Sequence, residues 1–71
     1  MLYYVRDEQH AQEIEDVKKK ALELLIWSPS QACHFMCAEM RKIGISFRGM
    51  DLLAYASSKS DEAAKEFIEG F

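Results

Sequence analysis

Residues that interrupt or cross-link helices are scarce in this chain of 71 residues, which contains one proline, three glycines and two cysteines. Cys33 and Cys37 are one helical turn apart, where a disulfide would strain the backbone, so the spacing predicts free thiols in a reducing compartment. The length predicts a single domain over residues 1–71. A core of this size usually needs additional stabilisation from a disulfide, a metal or a second subunit.

Long apolar runs and an excess of basic residues are also lacking. The apolar run 24–27 is far shorter than the roughly 20 residues that a membrane-spanning helix needs, and no secretory signal is visible at the start. We therefore expect a cytoplasmic protein without a membrane contact. The net charge of −3 argues against a protein that coats phosphate backbones, because that task requires clustered Lys and Arg.

Apolar residues at three- and four-residue spacing fill the segments between three short stretches, residues 28–31, 43–46 and 58–61. This periodicity is typical of amphipathic helices. We therefore predict an all-α fold in which a long first helix is followed by a compact three-helix unit. The four predicted helices of this small bundle span about 7–26, 29–43, 47–57 and 61–69.

Capping residues set these boundaries. Ser28 suits an N-cap in a capping box with Gln31, and a proline follows it at the first helical position. Gly44 suits the left-handed position that ends the second helix. Ser46 is predicted to cap the third helix, and Ser60, with Ser58 as the alternative, is predicted to cap the fourth. In the third helix we expect an inward-facing set of Met50, Leu52, Leu53 and Ala54.

The first six residues are compatible with several conformations. Tyr3, Tyr4 and Val5 favour a strand, yet a lone strand has no sheet to join. An extended arm, an early helical turn and a strand completed by a partner chain are the three alternatives.

No combination of residues predicts catalysis. Cys33 and Cys37 share a helix face, but His34 is offset from Cys33 by about 100°, so a tetrahedral metal site would need acidic ligands as well. Buried apolar thiols are the simpler interpretation. The carboxylates of the first helix lie among lysines, where their pKa values have little reason to shift. We predict no enzymatic activity, no metal site and no cofactor.

The end of the first helix is apolar on more than one side, and exposed apolar patches mark interfaces. A two-fold copy is a simple way to cover such a patch. We therefore predict a small non-enzymatic protein-interaction or regulatory module that forms a homodimer, with a protein partner whose identity the sequence does not reveal. The predicted interface residues are Ile14, Val17, Leu22, Leu24, Leu25 and Trp27.

The stretch Met40–Ser46 resembles the segment that joins the two helices of DNA-binding helix-turn-helix proteins, in which a helix ends at glycine and a serine opens the next. This resemblance implies an alternative function as a DNA-binding transcriptional regulator, with the turn at Gly44-Ile45-Ser46. Arg41, Lys42 and Arg48 would then contact the nucleic acid.

Residues 31–71 also resemble a ubiquitin-associated domain, with Ile43-Gly44-Ile45 at the position of its first loop. The matching residues of the last helix are Ala64, Glu66, Phe67 and Ile68. This resemblance implies a compact three-helix fold and binding of ubiquitin. Neither resemblance assigns the chain to a family.

Overall fold

The computed structural model describes residues 10–71, and within them it contains four α-helices and no strand. The predicted all-α architecture is confirmed. The predictions for residues 1–6 and for a helix start at residue 7 lie outside the described residues. The helices are α1 (Ala11–Leu24), α2 (Pro29–Ile43), α3 (Met50–Ser57) and α4 (Asp61–Glu69).

Helix α2 is the centre of the fold, because it packs against each of the other three helices. Helix α1 lies against α2 and α4, and α3 lies against α2 and α4. The inner side of α2 is buried, and Phe67 of α4 and Phe71 beyond its end add two aromatic rings to the core. The largest fully buried side chains are Phe67, Phe71, Ile14, Met36, Met40, Met50 and Ile68, together with Cys33.

The start of α2 has the predicted serine cap. The Ser28 Oγ accepts from the backbone N–H of Ser30 at 3.2 Å and of Gln31 at 3.4 Å, and Pro29 is the first helical residue. The other half of the predicted capping box does not form. The Ser28 N–H donates to the carbonyl oxygen of Leu24 at 3.1 Å instead, which ties the cap to the end of α1.

The end of α2 also follows the prediction. Gly44 has a φ of +90°, in the left-handed region. Its N–H donates to the Arg41 carbonyl oxygen at 3.0 Å, and the Ile45 N–H donates to the Met40 carbonyl oxygen at 2.8 Å. These two bonds define a Schellman motif, in which carbonyls left free at the helix end are satisfied.

The predicted start of the third helix is wrong. Helix α3 begins at Met50, and its N-cap is Gly49 with a φ of +83°, not Ser46. Phe47 packs against the core, and its carbonyl oxygen accepts from the Met50 N–H at 3.1 Å. The partly buried Phe47 thus lies in a turn before the helix, and Gly49 adopts the left-handed backbone of that turn at little cost.

The end of α1 is earlier than predicted, at Leu24 instead of residue 26. Three successive N–H groups, those of Leu25, Ile26 and Trp27, donate to carbonyl oxygens three residues earlier, at 3.0–3.3 Å. Such bonds tighten the last turn and end the helix. The fourth helix starts as predicted, because the Ser60 Oγ accepts from the Ala63 N–H at 3.1 Å.

Candidate protein-interaction surfaces

The predicted interface residues of the first helix differ widely in exposure. Ile14 is fully buried in the core, so it is not on the surface of the folded chain. Four others are partly buried and pack against the core: Val17, Leu22, Leu24 and Leu25. Trp27 is 79% exposed and is therefore the predicted interface residue most available to a partner.

Ile26, next to this tryptophan, is 84% exposed and was missed by the sequence analysis. It belongs to the apolar end of the first helix but is not among the predicted interface residues. We use the name corner patch for Ile26, Trp27 and the partly buried Leu24 and Phe35, which lie at or next to the junction of α1 and α2. Ile26 and Trp27 are the two large apolar side chains of this junction that are mostly exposed.

A shallow depression of about 310 Å³ lies beside Trp27, and Ile26 is not part of its lining. Leu24, Trp27 and Phe35 supply its apolar lining, and Lys20 and Glu23 complete it. Both charged residues are exposed, so the depression has one cation and one anion at its edge.

A second exposed apolar group lies on α3. Leu52 is 76% exposed and Tyr55, one turn later, is 60% exposed. The prediction that Leu52 faces inward is wrong, because the buried side of α3 is the set Met50, Ala54 and Ser57. The Lys59 Nζ lies 4.1 Å from the centroid of the Tyr55 ring, a cation–π contact. We call Leu52, Tyr55 and Lys59 the α3 face.

The three basic residues of the nucleic-acid prediction lie near the connection between α2 and α3. Arg41 forms an ion pair with Asp51 of α3. Lys42 pairs with Glu39 at 3.0 Å, one turn earlier in α2. Arg48 is exposed and makes no ion pair within residues 10–71.

The geometry of this connection differs from the helix-turn-helix expectation. Residues 44–49 separate the two helices, whereas the motif uses a turn of about three or four residues. The helix that would read base edges, α3, contains Asp51 and no Lys or Arg. DNA binding therefore stays a prediction. Neither the length of the connection nor the composition of α3 supports it.

The two cysteines are buried and free. Burial, together with the neighbouring Cys37, raises the pKa of the Cys33 thiol from 9.0 to about 11. Burial and Asp51 raise the pKa of Cys37, and Arg41 partly offsets that rise. Neutral buried thiols are poor nucleophiles. His34 is exposed, so it points away from both thiols.

A larger depression of about 510 Å³ lies on the polar side of α1, next to the end of α4. Its polar groups are engaged with one another. The Gln12 Nε2 donates to Asp16 at 3.0 Å, and the Lys18 Nζ donates to the Glu69 carbonyl oxygen at 3.5 Å. The first of these bonds lies within α1, and the second joins α1 to the end of α4.

Comparisons of the chain with protein-family models, with curated proteins and with solved structures found no match. None of the helices in residues 10–71 has the length and apolarity needed to cross a bilayer. In the same range, no three side chains of His, Cys, Asp or Glu are grouped as the ligands of a metal ion would be.

Proposed function

We propose that this protein is a non-enzymatic interaction module that self-associates as a homodimer through the corner patch. The observation that carries the proposal is the 84% exposure of Ile26 and the 79% exposure of Trp27 in one turn. Large apolar side chains exposed side by side are typical of surfaces that bind another protein. Tryptophan is also among the residues most enriched in the energetic centres of interfaces.

The magnitude of the burial supports a symmetric arrangement. A tryptophan in an interface buries about 150–250 Å², which corresponds to about 4–6 kcal/mol at about 25 cal/mol per Å². Association itself costs about 4–15 kcal/mol in lost translational and rotational freedom. One buried Trp27 therefore only reaches the lower end of that cost. A two-fold dimer buries the tryptophan and Ile26 of both copies.

The charges at the edge of the depression favour a second copy as the partner. Lys20 and Glu23 lie on the same rim, one residue of each sign. A two-fold arrangement can place the lysine of one copy opposite the glutamate of the other, and in that register neither charge lies opposite its like. A partner with a strongly acidic or basic surface would match only one of the two residues.

Sedimentation over a range of protein concentrations tests the proposal, with Ile26→Ser as the main variant. This side chain is exposed, so its replacement should leave the fold intact and weaken self-association at least tenfold. The matched control is Leu52→Ser, because Leu52 is an apolar residue on α3 that is 76% exposed. It should associate like the original chain. Leu24→Asp is a poorer probe, because Leu24 also packs against the core.

Trp27 provides an independent readout, since it is the only tryptophan in the chain. Its emission should shift to shorter wavelength as concentration rises, because dimerisation removes the ring from water. A monomeric mass at every concentration, with a constant emission maximum, would contradict the proposal. So would an Ile26→Ser variant that associates as tightly as the original chain.

A further inference from the structure

We draw no further inference here: the strongest candidate, the exposed apolar pair Leu52 and Tyr55 on the α3 face, carries nothing because residues 39–62 around it contain four basic and four acidic residues, and nothing in the structure shows what covers it.

Discussion

The two connections that flank α2 have similar side chains with opposite exposures. The first, residues 25–28, leaves Ile26 and Trp27 more than three-quarters exposed. The second, residues 44–49, packs an aliphatic and an aromatic side chain, Ile45 and Phe47, against the core. An isoleucine and an aromatic ring therefore serve the fold in one connection and remain at the surface in the other.

The difference arises from what each connection meets. The Phe47 ring lies 6.0 Å from that of Phe71, which in turn makes an edge-to-face contact with Phe67 at 5.3 Å. The end of α4 thus provides an aromatic neighbour for the second connection. Trp27, by contrast, lines the shallow depression beside Leu24 and Phe35 and stays 79% exposed. Apolar composition alone therefore does not predict whether the side chains of a connection are buried. Their burial depends on which element packs beside the connection.

The largest expected effect is the difference in stability between replacing the buried ring of Phe71 and replacing the exposed ring of Trp27. Phe71→Ala should destabilise the protein by about 3–5 kcal/mol, because it removes a fully buried ring. A core of this size seldom supplies more than about 3–5 kcal/mol, so the variant should be largely unfolded. Trp27→Ala, in the exposed turn, should change stability by less than about 0.5 kcal/mol. Urea unfolding followed by circular dichroism at low protein concentration measures both, and equal losses would remove the distinction between the connections.

An intermediate effect is expected at Gly44, where the second connection begins. A Cβ at this position would meet nothing within 4 Å, so the cost of a substitution comes from the φ of +90° alone. Gly44→Val should therefore lower the free energy of unfolding by about 1–2 kcal/mol. Gly44→Asn should cost clearly less, because asparagine tolerates the left-handed region. If both variants were as stable as the parent in urea, the Schellman motif would not be what ends α2.

The smallest expected effect concerns the cap that closes the first connection. Ser28→Ala removes the hydroxyl that accepts from the Ser30 and Gln31 amides, and should cost about 1 kcal/mol. Ser28→Asp keeps an acceptor at the N-terminus of α2 and should retain most of the stability. Thermal unfolding of the three proteins measures this. An alanine variant that unfolds at the parental temperature would show that the hydrogen bond to Leu24 suffices to hold the turn.

Sequence reasoning succeeded where the determinant is local. Ser28, Gly44 and Ser60 act through backbone groups within a few residues of themselves, so their chemistry can be recognised from spacing. It failed at Ser46, because the start of α3 depends on where the Phe47 ring packs. That packing brings together residues far apart in the chain, and no local pattern specifies it.

The same limit applies to the candidate surfaces. Trp27 was predicted at the interface, while its more exposed neighbour Ile26 was not, because the tight turn after Leu24 changes which side chains point outward. Leu52 is exposed although the sequence predicts that it faces inward. Helix α3 begins three residues later than predicted, and its buried side is narrower than predicted. Ile14 was assigned to the interface although α2 and α4 already cover the inner side of α1.

The buried thiols of α2 make it possible to measure how often the folded chain opens around its central helix. Cys33 is 0% exposed and Cys37 is 4% exposed, so an alkylating reagent reaches them only when the central helix separates from its neighbours. The rate of modification by excess reagent therefore reports how often that separation occurs. Because both thiols resist modification in the closed state, a cysteine introduced at the surface can carry a label without replacing either of them.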